Sequence, residues 1–243
     1  MTPAEGHLQN LSRQGGDMPL ARNSQLIKLG TAALSDAIGK SGAMDHDMQC
    51  RSANPDMAGP AFTVRVHTAD ILMIPQALSD CPGGHVLVID GQGELNTALW
   101  GKLSTLAALR KGLTGVVIDG AVRDTSAIRK STLPVFARAV VPNAGGTEYL
   151  GEMGGAIQCG GQVVRPGDWV VGDKDGVVII SADKLERTIL IAQSIVAAEK
   201  RIERAIRRGE NLTHLLRSQE VIERKQSDTF IPQLRAFTRG RRS

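Results

Sequence analysis

The run Gly115-Val-Val-Ile-Asp-Gly-Ala-Val-Arg-Asp124 constrains this chain more than any other stretch. Val116 to Asp119 carry an apolar segment to an acidic end, too apolar for a surface loop and too short for a helix, so it predicts a buried strand. A glycine-containing turn follows, and Arg123 and Asp124 stand where the helix Thr125–Lys130 can begin. A rigid strand end, a glycine that admits close backbone approach, and adjacent opposite charges suit a site for a small anion or a metal. The same residues also permit a purely local role, with Asp124 capping the helix and Arg123 solvated.

The flanking pattern places that strand in a sheet. His85-Val-Leu-Val-Ile-Asp90 predicts an earlier strand. The Gly-rich loop Gly91–Glu94 follows, then a helix to Lys111 with Leu95, Leu99, Leu103, Leu106 and Ala107 on one apolar face. Two successive strand–helix units predict a parallel sheet and an α/β fold. Upstream, residues 1–22 read as a loose arm. A helix is predicted from Ser24, as its cap, to Lys40, a strand over Ala61–Val66 and a short helix over Asp70–Leu78. After Pro134 short strand-like runs recur (134–141, 157–164, 169–171, 177–180), with turns at Arg165–Asp168 and Asp173–Gly176. A long helix is predicted from Ala182 to Arg208, closed by Gly209, and another from Leu212 to Lys225. The organisation expected is an N-terminal arm (1–22), one α/β domain (23–209) and a basic helical extension (210–243).

Composition narrows the function. With four Phe, two Trp and one Tyr in 243 residues, the chain lacks the aromatic platforms of a single-strand nucleic-acid binder. The net charge of +4 is unevenly spread: residues 199–243 hold 12 Lys/Arg and 6 Asp/Glu, so the rest is mildly acidic. This basic end is read as solvated, and nucleic acid is not an expected partner. Cys50, Cys81 and Cys159 form neither a disulfide framework nor a zinc pattern. No apolar stretch reaches the roughly 18 residues of a membrane span, and residues 1–22 lack a signal-peptide core. A soluble, cytoplasmic protein with no membrane partner is expected.

Several chemistries fail on spacing. Gly91-Gln-Gly-Glu-Leu-Asn96 follows a strand but lacks the third glycine of a dinucleotide fingerprint. The five histidines show no paired metal-ligand spacing, and no nucleophile elbow is present. Asp168, Asp173 and Asp175 read as turn formers.

Taken in order, Ser35-Asp-Ala37, Gly84-His-Val-Leu-Val88, Gly101-Lys102, Val117-Ile-Asp-Gly-Ala-Val-Arg-Asp124, Pro134-Val-Phe136 and Pro166-Gly-Asp-Trp-Val-Val-Gly-Asp-Lys-Asp-Gly-Val177 resemble the RraA-like family. That family joins the class II 4-hydroxy-4-methyl-2-oxoglutarate aldolases with regulators of ribonuclease E activity, and the resemblance covers roughly residues 24–209. It implies a swivelling β/β/α sandwich assembled as homotrimers or hexamers, with sites between subunits. It further implies a divalent ion, Mg²⁺ or Mn²⁺, on Asp124, and a short 2-oxo acid held by Arg123 and by backbone over Gly101, Lys102, Leu103 and Ser104. The implied reaction is aldol cleavage or decarboxylation through a pyruvate enolate, stabilised by the ion and Arg123. Glu199 matches a family glutamate that reaches a neighbouring subunit's site; as an isolated residue it reads as a solvated helix glutamate paired with a nearby arginine.

One position departs. The active family enzymes carry an acid where this chain has Lys102, and a lysine near a dication is repulsive. Activity then persists weakly, turns to another 2-oxo acid, or is lost, leaving a regulator that binds a protein partner. A Schiff base at Lys102 would require a depressed pKa; the intact Asp124 favours the metal reading.

Overall fold

In the computed structural model the described residues are 17–225, with side chains described from residue 21. Two compact units divide the chain, one reaching Gln193 and the other starting at Ser194. The boundary falls inside the helix Leu185–Arg207.

Helix α1 (Asp17–Leu29) and α2 (Thr31–Ala37) come first, then strands β1 (Gln49–Cys50) and β2 (Met57–Arg65). Helix α3 (Met73–Asp80), strand β3 (Val86–Trp100), α4 (Lys102–Lys111), β4 (Gly115–Val122), α5 (Thr125–Lys130) and β5 (Val135–Val140) follow. The remainder is β6 (Glu152–Met153), β7 (Ile157–Cys159), β8 (Gln162–Val164), β9 (Trp169–Asp173), β10 (Gly176–Ile180), α6 (Leu185–Arg207) and α7 (Leu212–Leu215). The main sheet runs β1-β5-β4-β3-β2-β9-β10, with β6 beside β2 and β7–β8 as a separate hairpin. Strands β2, β3, β4 and β5 are mutually parallel, as the two strand–helix units predict.

Residue parity shows how the layers form. Leu87 and Ile89 of β3, Val116 and Ile118 of β4, and Val135 and Ala137 of β5 point to one face, where they pack with Ile74, Leu78, Ala108 and Ile128 of helices α3, α4 and α5. Their alternates Val86, Val88, Val117 and Phe136 point to the other face, against Ile157, Cys159 and Val164 of the β7–β8 hairpin, Val170, Val177, and Met44 and Met48 from the preceding loop. Helices cover one face and β structure the other. Every residue of β4 is buried, as a central parallel strand requires.

Polar groups tie the β side together. Arg138 of β5 donates to Asp119 of β4, to Asp47 at 2.5 Å and to Asp45 at 2.8 Å. The N–H of Gly160, in the β7–β8 turn, donates to Asp119 Oδ2 at 2.7 Å. Asp119, legible in the sequence only as the acidic end of a strand, is therefore a buried partner of Arg138. Asp168 accepts from the N–H groups of Arg165 and Ala182, and Asp173 from those of Thr31 and Asp175, so both are the turn formers expected. All three cysteines are free. Burial pushes the Cys81 thiol up to about 12 and raises Cys159 as well, which leaves both poor nucleophiles.

Several expectations need correction. Gly30, at φ +78°, splits the single helix predicted over Ser24–Lys40, and Ser24 lies inside α1 rather than capping it. That helix begins at Asp17, inside the segment read as a loose arm; residues 1–16 lie outside the described residues. The predicted helix from Leu95 does not form, because β3 continues to Trp100 and α4 starts at Lys102. Leu95 and Leu99 mimic a helical spacing but belong to an irregular strand. From Ile89 to Trp100 β3 advances eleven residues while its partner advances four, from Ile118 to Val122. Leu103 and Leu106, read as part of one apolar helix face, are 76% and 61% exposed, and the helix buries Thr105 and Ala108 instead. The long C-terminal helix opens as a short 3₁₀ turn, Ala182–Lys184. The helix expected over Leu212–Lys225 is interrupted at 216–217, where Arg217 has φ +50°, and residues 226–243 of the basic extension lie outside the described residues. No helix among the described residues is long and apolar enough to cross a membrane.

Candidate active site

Parallel strands β3, β4 and β5 end side by side, and a pocket of about 600 Å³ opens at their carboxyl ends. This is where open parallel sheets place ligands, because loops there diverge from a rigid base. The lining follows from the connectivity. Lys102 follows β3, Arg123 and Asp124 follow β4, and Val140, Val141 and Pro142 come from the end of β5. Thr125, Ser126 and Ala127 of α5 complete the wall.

Asp124 is the decisive residue. It occupies the position before α5, with φ 57° and ψ 37°, a left-handed conformation uncommon for any residue but glycine, though Asp and Asn tolerate it best. Its carbonyl accepts from Ala127 and Ile128, but its side chain makes no capping bond to α5. The carboxylate turns across to the neighbouring loop, where Oδ2 accepts the backbone N–H of Lys102 at 3.0 Å. Asp124 thus caps α4, whose own N-cap, Gly101, has no side chain to do so. A carboxylate there also meets the positive end of the α4 dipole. Oδ1 has no hydrogen-bond partner among the described residues and is available to a ligand.

Gly101 has a steric reason to be glycine. A Cβ there would stand 2.8 Å from Asp124 Oδ2 and 3.2 Å from Arg123 Cγ, so the close approach of the two loops excludes any side chain. The turn is anchored from below. Trp100 Nε1 donates to Thr105 Oγ1 at 2.9 Å, Thr105 Oγ1 donates to the Gly101 carbonyl at 2.8 Å, and the Arg123 N–H donates to the Trp100 carbonyl at 2.9 Å. The backbone N–H groups of Leu103 and Ser104, in the first turn of α4, have no intrahelical partner and suit an anion.

The side chains of Arg123 and Asp124 are each 44% exposed and only 4.0 Å apart at closest approach, a loose pair that leaves the guanidinium open to a ligand. Lys102 is exposed, and its ammonium has no ion-pair partner among the described residues. The structure therefore brings Gly101, Lys102, Leu103, Ser104, Arg123 and Asp124 together. Glu199 lies on α6 in the second unit, exposed and without an ion-pair partner among the described residues, so the arginine pairing expected for it is not formed there. Sequence reading missed Val140, Val141 and Pro142; a strand ending beside β4 was the available signal.

Among the described residues no group of three or more His, Cys, Asp or Glu side chains converges as a ready metal cage. What the pocket offers is one carboxylate with a free oxygen and no soft ligand. That donor set fits a hard, oxygen-seeking dication taking most of its sphere from water and ligand oxygens, and the neighbouring Lys102 opposes it.

The chain matches the RraA-like family model, described as Aldolase/RraA, over residues 31–179. It is 33% identical over 183 residues to a Halalkalibacterium halodurans protein provisionally named a 4-hydroxy-4-methyl-2-oxoglutarate aldolase, covering 75% of this chain and 87% of that one. An uncharacterised Methanocaldococcus jannaschii protein is 40% identical over 159 residues, 65% of this chain and 76% of its own length. Among solved structures, an uncharacterised protein from Pseudomonas syringae pv. tomato superimposes with a TM-score of 0.74 at 26% identity, covering 82% of this chain and 94% of that one. The RNA-processing inhibitor RraA from Thermus thermophilis gives 0.58 at 32% identity, covering 62% and 92%.

Proposed function

The chain belongs to the RraA-like family, and from that premise we propose that it is a carbon–carbon lyase that cleaves or decarboxylates a short 2-oxo acid to a pyruvate enolate. The observation that carries this reading is the conformation of Asp124. A non-glycine residue held left-handed costs on the order of 1–3 kcal/mol, and such outliers concentrate where a side chain must be aimed.

Each residue has a task that its position supports. The substrate carboxylate lies against the free N–H groups of Leu103 and Ser104, at the positive end of α4. The Arg123 guanidinium faces the oxygen on which negative charge develops as the carbon–carbon bond breaks, and as a fixed cation it lowers the energy of that oxyanion. Asp124 holds α4 in register through Lys102 N–H and presents Oδ1 to the pocket. Val140, Val141 and Pro142 give the pocket an apolar wall. A Mg²⁺ or Mn²⁺ ion held by Asp124 would supply Lewis-acid polarisation of the substrate's keto and carboxylate oxygens when bound.

The test is pyruvate release from 4-hydroxy-4-methyl-2-oxoglutarate and from oxaloacetate, with Mg²⁺ or Mn²⁺ and with EDTA. Metal-dependent turnover above the uncatalysed rate is expected, and its absence for both substrates would sink the lyase reading. A specific observation favours a second reading, a non-catalytic regulator that binds a protein partner: Lys102 stands where an acid would help hold the ion. Absence of turnover together with recovery of turnover in Lys102→Asp would select it.

Assembly as a homotrimer or hexamer belongs to the same proposal. Leu103 and Leu106 are exposed on α4 beside a groove of about 580 Å³ lined by Pro75, Leu78 and Ala107, a patch unusual for a chain that works alone. Light scattering should give three or six times the 25.9 kDa chain mass, and Leu103→Asp with Leu106→Asp should lower it.

A further inference from the structure

The Gly101–Lys102 peptide is gripped at both ends. Its N–H, on Lys102, donates to Asp124 Oδ2 at 3.0 Å. Its carbonyl, on Gly101, accepts twice from Thr105: from the backbone N–H at 3.0 Å and from the Oγ1 hydroxyl at 2.8 Å. The unit is planar and trans, so its C=O and N–H point in opposite directions and turn together. Whatever fixes the Gly101 oxygen therefore fixes the direction in which the Lys102 N–H is offered. A helical threonine commonly returns its hydroxyl to the carbonyl four residues back; here that carbonyl belongs to the peptide bonded to the site carboxylate. Trp100 sets the polarity of the bond. An indole N–H can only donate, so Trp100 Nε1, 2.9 Å from Thr105 Oγ1, fills an acceptor position of the hydroxyl and leaves its one proton for the Gly101 oxygen. Both residues are buried, away from competing water. Gly101 itself, with no Cβ and no room for one, has the freest backbone in the turn and no side chain to steady it.

We propose that Thr105 is a positioning residue: its hydroxyl, oriented by Trp100 and acting through the Gly101–Lys102 peptide, aims the Asp124 carboxylate. The inference rests on the reading of Asp124 as the carboxylate that serves the reaction. Thr105 does not line the pocket and is buried, so it acts only through that peptide. By holding the Lys102 N–H in one direction it holds Oδ2 in one place, and Oδ1 is then presented to the pocket at a fixed angle. A carbonyl that accepts two bonds also polarises its own N–H, which strengthens the bond to Asp124. Without the hydroxyl the peptide keeps only the helical bond from the Thr105 N–H and rocks about the Gly101 backbone. The same turn carries the Trp100 carbonyl that accepts the Arg123 N–H, so both charged residues after β4 lean on it.

Hydrogen exchange of the full chain, resolved to single amides, reads this positioning without any turnover. Thr105→Val keeps the branched shape and removes the hydroxyl; in it the Lys102 amide is expected to exchange about tenfold faster, the scale of one hydrogen bond. The amides of Ala108 and Leu109, further along α4, should keep their wild-type rates, and Thr105→Ser should stay within about twofold of wild type at Lys102. Trp100→Phe, which removes the indole N–H, should speed the same amide by about threefold, and it carries the test if the valine variant does not fold. Pyruvate release should fall about tenfold in Thr105→Val and recover in Thr105→Ser. Added to Asp124→Asn, Thr105→Val should cost less than about a further twofold, because the charge it aims is already gone. An unchanged Lys102 amide, or faster exchange spread evenly along α4, would overturn the positioning role whatever the turnover, as would a full tenfold loss in the Asp124→Asn background. A wild type without turnover, in which Thr105→Val still deprotects Lys102 alone, would overturn the lyase reading and support the positioning.

Discussion

Asp124→Asn is expected to lower pyruvate release by at least about 100-fold while leaving the fold intact. Asparagine tolerates the left-handed backbone nearly as well as aspartate, and its amide oxygen can still accept the Lys102 N–H. What it removes is the negative charge that would hold a divalent ion and balance Arg123, and losses of one preorganised electrostatic group of this kind run to about 10²–10³ in rate. Asp124→Gly separates the other component. It relieves the left-handed strain and deletes the cap of α4, so it should bind substrate more weakly as well as turn it over more slowly. Steady-state kinetics with circular dichroism on both variants decide the matter. An asparagine variant retaining more than a tenth of wild-type turnover would show that the carboxylate serves only to cap α4. The complementary change, Lys102→Asp, should raise Mn²⁺ affinity measured by calorimetry, because it exchanges a repelling cation for a second oxygen donor.

The largest effect on stability is expected from Arg138→Met, about 3–5 kcal/mol, or on the order of 10 °C in thermal midpoint for a chain of this size. Arg138 is largely buried and is the shared partner of Asp119, Asp45 and Asp47; removing it leaves the buried Asp119 carboxylate without a cation. Asp119→Asn added to Arg138→Met should recover part of the loss by neutralising that charge. A single-variant change below about 1 kcal/mol in urea unfolding would refute the assigned role. The same cluster shapes the acid limb of stability. The hydrogen bond from Arg138 holds the Asp47 carboxyl below its usual 3.8. A carboxyl depressed in the folded state contributes stability that is fully present above 3.8 and is lost as pH falls through the folded value. Wild type should therefore lose stability below pH 3.8 more steeply than Arg138→Met, which has already lost that contribution.

How far the sequence leads differs among these elements. Strand β4 and the Arg123-Asp124 pair are legible because they are contiguous: an apolar run, a turn and two charges need only local information. The parallel order of β3, β4 and β5 follows from strand–helix alternation. By contrast, Leu95 and Leu99 have a helix-like spacing yet sit on β3, because periodicity cannot register the irregular stretch that lets eleven residues span four. The exposed Leu103 and Leu106 misled for a related reason. Apolar character says that a residue prefers a partner, but not whether that partner lies within the same chain. The Arg138 cluster joins residues 19, 91 and 93 positions apart, which no local pattern encodes.

Sequence alone determined that Val116 to Asp119 form a buried strand of a parallel sheet, and that a cation and a carboxylate follow it. Those properties depend on side-chain polarity and on the fixed periods of backbone geometry, which are local. Only the tertiary structure decided that the Asp124 carboxylate leaves α5 uncapped and turns to the N-terminus of α4, 22 residues earlier in the chain. That choice depends on the side-by-side ends of β3 and β4 and on the absence of a Cβ at Gly101, which lets the two loops approach within hydrogen-bonding distance. The same proximity gathers Lys102, Arg123 and Asp124 into one pocket.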